Sequence, residues 1–547
     1  MIKGCAIHTT IGLVSILVAS TSIGAYAQIA PVPNPGTIAK QSQETQQSVE
    51  QQAQPRLNGP AVVGPTTPEQ LVGPPGGQTF LLKDVTFDHS SFIPDAVLSE
   101  IAARFVGKKI DNSGLQLLVK LVNDEFAKRR IITALAYLPK QDLKGGKLHV
   151  GIVEGKVGQV LVKGNDRIST ATVQNAVPLT QGSVVDVSKV EDDVAFFNAA
   201  RNAQIQASLQ PGTQFGLTDV TLGVLEPPRN SVQAYVDNQG VDSVGKAEAG
   251  INFQHYGLLG LDDRLTAAFL GAEGNLNGNL GYNFVADPWG GRLGVSAGLG
   301  HIRVITGPYT SLHIFGTSEN EAVNFAQPIF ATSNWAYIIN GQFSRSLSIS
   351  DQSGVEVTKN TTWKETVGSV LRYSDETFNV AVAPNLSFGT TAFGLLDTHQ
   401  YFTEVTGTIN TSTHLPLAFT LVANATGQWA NQKLLSSDQL FQAGGPTTVR
   451  GYSPDGVAGY AGFYSNLELH HKVDGLKEDV DAFVFYDHGS VYSTFPAVVN
   501  LDSVGGGFEW NVSKNLVGDA SIGIPVTKSY DNQPKYEVYV RLTAKLP

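Results

Sequence analysis

Charge is scarce in this sequence. Asp, Glu, Lys and Arg make up 16% of its 547 residues, against roughly 25% in soluble domains. What charge there is leans acidic, with 37 Lys+Arg against 48 Asp+Glu and a formal net charge of −11. Without a basic surplus a nucleic-acid partner is excluded, because phosphate contacts need a cationic face. The single cysteine is Cys5, inside the export signal argued below. The mature chain then has no thiol for a disulfide or a Cys-based metal centre. No run of about 18 apolar residues follows the N-terminal region, which excludes a helical membrane protein. There is no phosphate-binding Gly-Lys-Ser/Thr loop. His470 and His471 are adjacent, so on a strand they face opposite sides and cannot chelate together. No catalytic residue, metal or cofactor is expected.

Glycine, by contrast, is plentiful at 57 residues, and the mean hydropathy of −0.04 is close to zero. Few charges, much glycine and average hydropathy fit a wall that alternates apolar and polar positions. The chain opens with Lys3, a short apolar run from Ile11 to Val18, and Ala25-Tyr26-Ala27. This is the form of a cleaved secretory signal, residues 1–27, with the mature chain starting at Gln28. Residues 28–78 lack globular character. Gln41 to Gln54 is polar and Gln-rich, consistent with a solvated helix. Pro55 to Gly77 carries Pro65, Pro68, Pro74 and Pro75 and reads as an extended tether.

Two small α+β modules are expected next, at 79–156 and 157–227. The first reads as strand (Phe80 to Phe87), helix (Pro94 to Phe105), helix (Ser113 to Arg129), then strands Ile131 to Tyr137 and Lys147 to Val153. The apolar positions of the second helix, Leu115, Leu118, Val122 and Phe126, lie on one face. The second module repeats that order, with a strand from Val157, helices through Val177 and from Val187 to Ala199, and strands Ile205 to Leu209 and Thr218 to Leu225.

From 228 to 547 a period of two takes over. Leu276, Gly278, Leu280, Tyr282 and Phe284 alternate with polar or small residues, and Tyr536, Val538, Val540, Leu542, Ala544 and Leu546 do so most cleanly. One face suits lipid, the other a wet lumen. Segments of about ten residues match a tilted bilayer crossing, and at roughly 20 residues per strand and connection the region holds about 16 strands. The predicted class is therefore a transmembrane β-barrel of about 16 antiparallel strands preceded by two small periplasmic modules, in the outer membrane of a Gram-negative bacterium. Gly294-Val295-Ser296-Ala297-Gly298 matches a hydrolase nucleophile elbow in letters. That elbow needs a strand, a sharp turn and a helix, whereas these residues lie inside an alternating run.

Two segments stand out within the barrel region. One is Asp438 to Gly445 followed by Thr448-Val449-Arg450-Gly451-Tyr452; the other is Phe485-Tyr486-Asp487-His488-Gly489. Asp487 shares parity with Phe483 and Phe485, opposite Val484 and Tyr486, which turns it toward the lumen. A carboxylate there needs a partner, and the planar fork of Arg450 suits it. Gly444, Gly445 and Gly451 allow a tight bend close to the wall.

With these two segments the chain resembles the two-partner secretion transporters of the hemolysin-activator type, barrels preceded by two POTRA domains. The likeness extends through Leu138-Pro139-Lys140-Gln141-Asp142-Leu143, Val153-Glu154-Gly155-Lys156-Val157, Ala207-Ser208-Leu209-Gln210-Pro211-Gly212 and Asp237-Asn238-Gln239-Gly240. The chain departs from the family at Pro139-Lys140-Gln141, where Pro-Pro-Gln is common, and at its end, Lys545-Leu546-Pro547, where many outer-membrane barrels close on an aromatic residue. The resemblance implies an inward loop motif (Val449, Arg450, Gly451, Tyr452) folded into the barrel against a wall motif (Phe485, Asp487, Gly489), with a helix near the mature N-terminus plugging the pore, for which Gln41 to Gln54 within 28–78 is the candidate. It implies export of an unfolded exoprotein without ATP, caught by the modules. Outer-membrane lipid and the barrel-assembly machinery, for the chain's own insertion, complete the expected partners. A barrel-assembly factor of the same superfamily is the rival expectation, and a passive porin a weaker one.

Overall fold

A computed structural model of the chain describes residues 33–51, 61–64, 78–143, 145–473, 479–494, 497–530 and 533–546. The expected export signal, most of the Pro-rich tether and Pro547 lie outside the described residues.

The first element is helix α1, Pro35–Gln51. It begins six residues before the helix expected from composition. Pro35 sits at the first helical position, where its missing N–H costs nothing, and the side-chain oxygen of Asn34 accepts from the Gly36 N–H at 3.0 Å as a cap. A two-residue strand, Val62–Val63, follows.

The first module holds helices α2 (Asp95–Ala103) and α3 (Asn112–Lys128) against a sheet ordered Asp84–Phe87, Lys147–Glu154, Ala134–Tyr137. The expected opening strand is broken. Phe80–Leu81 instead pairs with Lys109–Ile110 as a separate two-stranded piece. Asp111 caps α3 by accepting from the Gly114 N–H. Leu98, Leu118, Val122, Phe126, Leu148 and Val150 are buried in one core. The second module has α4 (Thr170–Ala176) and α5 (Val187–Ala200) on a four-stranded sheet. Its order is Val62–Val63, Gln204–Pro211, Leu217–Leu225, Lys156–Lys163. Its core gathers Val157, Val173, Val194, Phe197, Ile205, Leu209 and Leu222.

Sixteen antiparallel strands then close a barrel, from Asn230–Asp237 to Glu537–Leu546, which pair with each other. The alternation is inside out. Leu276, Leu280, Val295, Leu299, Val367 and Val484 are exposed on the outer face, while Asn277, Glu404, Asp487 and Arg541 are buried inward. Aromatic rings flank the apolar band. Trp335, Tyr373 and Phe378 cluster near one rim, and Phe343 stacks on Trp363 about halfway along its strand, beside the charged Arg345, Glu319 and Glu321. Trp335 and Phe343 share one strand, and their separation along it is about 26 Å at 3.3 Å per residue. That is close to the roughly 25 Å apolar band of outer-membrane barrels. The five strands between Ile314 and His414 have 16 to 20 residues, whereas the first three have 8 or 9, so one side of the barrel stands well above the other. Gly294 to Gly298 lies within the strand Arg292–Arg303, ladder-paired on both sides, and the elbow's sharp turn is absent there.

The second module is fastened to the barrel rim. Asp262, almost fully buried, accepts from the backbone N–H groups of Asn202 (2.8 Å) and Ala203 (3.1 Å), from the Tyr256 hydroxyl (2.9 Å) and from Arg292 (2.9 Å). Within the module, Glu226, just before the first barrel strand, accepts from the N–H groups of Arg167 and Ile168, both at 2.8 Å.

Candidate functional site

The strand Phe419–Ala430 and the strand Ala461–Lys472 are neighbours in the barrel wall. The thirty residues between them fold into the lumen. Phe441–Ala443 and Val457–Gly459 pair as a short hairpin stem. Beyond it, Gly444 (φ +120°), Gly445 (φ +95°) and Gly451 (φ +87°) take backbone conformations that side chains disfavour. At Gly451 the close approach is to Gly523 in the wall, where an added Cβ would lie 2.8 Å from the carbonyl carbon. Two glycines thus let the loop touch the wall backbone to backbone.

Arg450 is set into a buried seat. Its Nε donates to Asp487 Oδ2 at 2.8 Å and its Nη2 to Oδ1 at 2.7 Å, a two-point grip. The Arg450 backbone N–H also donates to Oδ2, at 3.0 Å. Nη1 reaches Glu468 at 2.6 Å. The guanidinium lies 3.4 Å from the ring centroid of Phe485. Asn466 adds a bond to Asp487 Oδ1 at 2.9 Å. Asp487 is fully buried, so only charge pairing and several donors make its position tenable.

The neighbours complete the seat. Val449 is buried against the space left by Gly489, where a Cβ would meet its Cγ2 at 2.8 Å. The Tyr452 hydroxyl lies between the carbonyls of Asp502 (2.9 Å) and Thr527 (2.8 Å). Gly451 N–H donates to the Tyr539 hydroxyl at 2.9 Å. Phe441, Ala443, Val449, Tyr452, Val457, Val491, Val499 and Leu501 form a core of their own inside the barrel. All seven residues singled out from sequence meet here. Glu468, Asn466 and Tyr539 were not singled out. Their signal was strand parity, since Asn466 pairs with Asp487 and Glu468 with Phe485 across the ladder.

Helix α1 lies beside the loop. Lys40 Nζ donates to the Leu440 carbonyl at 3.1 Å and Gln41 to the Pro454 carbonyl at 2.8 Å. Ser42 accepts from Asn275 (3.3 Å) and Asn277 (3.2 Å) in the wall. Ile38 is buried with Val241, Val244 and Ile302. The first half of the helix is thus enclosed in the lumen, not solvated.

A barrel with an arm of small α+β modules and an inward loop belongs to the class of POTRA-bearing outer-membrane barrel proteins, its modules on the periplasmic side. Within that class, the model of the family described as haemolysin secretion/activation protein ShlB/FhaC/HecB matches residues 216–511. A model described as POTRA domain, ShlB-type, matches residues 80–155. The first match spans more than half of the chain, which therefore belongs to the haemolysin secretion/activation family. Among relatives, the outer membrane transporter CdiB of Dickeya dadantii (strain 3937) is 22% identical over 475 residues, 83% of each chain. CdiB of Escherichia coli is 25% identical over 242 residues, 44% of this chain and 41% of that protein. The match therefore spans less than half the length of that relative. In fold, the chain resembles the structure of E. coli CdiB with a TM-score of 0.69 at 19% identity, covering 94% of this chain and all of the other. CdiB from Acinetobacter baumannii gives 0.62 at 16%.

Proposed function

We propose that this chain exports an unfolded partner protein of adhesin or hemolysin type from the periplasm to the cell surface, without nucleotide hydrolysis. The observation that carries the reading is the double occupancy of the lumen. A loop seated by a buried ion pair and a helix held by side-chain hydrogen bonds, without an ion pair in any bond described above, share one conduit, above two modules. A passive pore has no use for a removable obstruction joined to a periplasmic arm. On this reading the modules (79–156 and 157–227) catch an extended segment of the partner, α1 is the plug that withdraws, and the Arg450 loop with Val449, Gly451 and Tyr452 stays fixed on Phe485, Asp487 and Gly489 to shape the passage. Folding of the partner outside biases its net movement.

The test is proteomics of the culture medium from cells with and without an intact copy of this chain. One large exoprotein is expected to vanish from the medium. An unchanged medium with many barrels depleted from the outer membrane would make the chain an assembly factor instead.

A further inference from the structure

The raised side of the barrel runs from the strand Ile314–Ala331 to the strand Thr398–His414. The modules precede Asn230, so the first barrel strand climbs from the periplasmic rim and the tenth, Thr398–His414, descends from the outer one. Its 17 residues span about 56 Å, or about 43 Å of height at a tilt of roughly 40°. The apolar band takes about 25 Å of that. The periplasmic turn after His414 is short, residues 415–418. The excess therefore lies outside the membrane, at the end that starts with Thr398.

The two flanks of this raised wall end differently. On one, Ile314–Ala331 is paired to its tip. Phe315 faces Arg303 across the ladder, and the Val304 N–H donates to the Ile314 carbonyl at 3.0 Å. On the other, the ladder between Thr398–His414 and Phe419–Ala430 stops at Glu404 and Ala430. Asn431 adds one rung. Its N–H donates to the Thr403 carbonyl at 3.1 Å, and its side-chain oxygen accepts from the Thr403 N–H at 2.9 Å. The chain then turns inward as the Arg450 loop. Backbone groups alternate sides along a strand, so those of His399 and Tyr401 point the same way as those of Thr403. Among the described residues no backbone partner meets them there.

A bare edge is normally blunted by lysine, proline or a bulge. Thr398-His399-Gln400-Tyr401-Phe402 has none of these. Thr398, Tyr401 and Phe402 are of types that favour strands. Tyr401 is 74% exposed, and Leu396, in the turn before the strand, 71%. The edge also stands at the exit of the lumen. Glu404 faces inward and lines the lumen cavity, of about 530 Å³, together with Asp438 and Gln439. The next position toward the outside, Thr403, begins the edge. A chain that leaves the lumen past Glu404 passes open backbone groups at once.

We propose that the edge at residues 398–402 receives the first extended segment of the exported polypeptide as it leaves the lumen, as an added strand at the cell surface. Main-chain bonds to His399 and Tyr401 hold it without regard to sequence. The lack of fixed charge on the edge favours an uncharged, strand-forming segment. The added strand gives the emerging chain a surface to fold on, and a folded chain does not slide back. This rests on the export reading above. It adds the place where folding outside begins.

The test replaces Tyr401 with the photoreactive p-benzoylphenylalanine in the full-length chain and irradiates cells during secretion. An adduct with the exoprotein identified in the medium is expected, and none from the same probe at Val367 on the membrane face. Tyr401→Pro removes an outward N–H and no rung to the neighbouring strand. It should lower the exoprotein in the medium about five-fold, the worth of one hydrogen bond. Tyr401→Lys leaves the backbone unchanged and blunts the edge by charge. It should act in the same direction, and it decides if the proline variant does not reach the membrane. Absence of the exoprotein adduct at position 401, or full secretion by the deciding variant, overturns the proposal. An adduct with a second copy of this chain in place of the exoprotein also overturns it. If no exoprotein in the medium depends on the unmodified chain, the export reading itself fails, and this proposal falls with it.

Discussion

The lumen holds two obstructions built in opposite ways. The loop is joined to the wall by a charged, fully enclosed pair and by its own hydrophobic core. Helix α1 is joined by side-chain amides, hydroxyls and one ammonium, with Ile38 in a cluster of only four residues. Neutral hydrogen bonds exchange readily for water, at a net cost of about 1 kcal/mol each. Breaking a buried ion pair leaves an uncompensated charge and costs about 3–5 kcal/mol. The difference teaches which obstruction can leave. On the proposed reading the helix is the part that is released, and the loop the part that remains.

The largest effect that would break this contrast is Asp487→Ala. It leaves Arg450 with Glu468 alone, and the seat should lose about 3–5 kcal/mol, seen as an earlier transition in urea unfolding and a loop newly open to protease. A stable, protected loop in this variant would mean the ion pair is not what fixes it. Next comes Gly451→Ala. It sets a side chain at positive φ and against Gly523, for a loss of about 1–3 kcal/mol by the same measurements. Arg450→Lys keeps the charge but removes both the two-point grip and the stack on Phe485. Its export should fall with that of Arg450→Ala, while both barrels still reach the membrane. Normal export in either would take the loop out of the mechanism. Smallest is Asn34→Ala, which removes the cap of α1 together with the bonds that the same oxygen accepts from Ser348 in the wall and Ser437 in the loop. A loss of about 1 kcal/mol, roughly a five-fold change, should appear as more frequent channel openings with no change in barrel unfolding.

Much of this architecture was legible in the residues. The alternation that ends in Val538, Val540 and Leu542 marked one face for lipid, and those side chains are exposed while Tyr539, Arg541 and Thr543 are buried between them. Parity alone turned Asp487 inward. The misses have physical causes. Two residues carry no periodicity, so Val62–Val63 was invisible as a strand inside a Pro-rich tract. Helix α1 begins six residues before the Gln-rich run that suggested it, because Pro35 is a starting residue that composition does not mark. Composition alone left Gln41 to Gln54 open to solvent or lumen, because a lumen lined with Asn275, Asn277 and Ser348 accepts amides and hydroxyls as water does. Glu468 needed the ladder register as well as its own parity.

The contrast between the two obstructions is tested most directly by locking each in turn during export. Ser42→Cys with Asn277→Cys ties α1 to the wall, at a place where the two side chains now meet at 3.2 Å. Ser243→Cys with Asp455→Cys ties the loop to an outer hairpin, where the side chains meet at 2.9 Å. Secretion of the exoprotein should stop when the first pair is oxidised and resume on reduction, and it should continue when the second is oxidised. Export through a barrel with α1 locked in place, or arrest by the loop lock alone, would contradict the account.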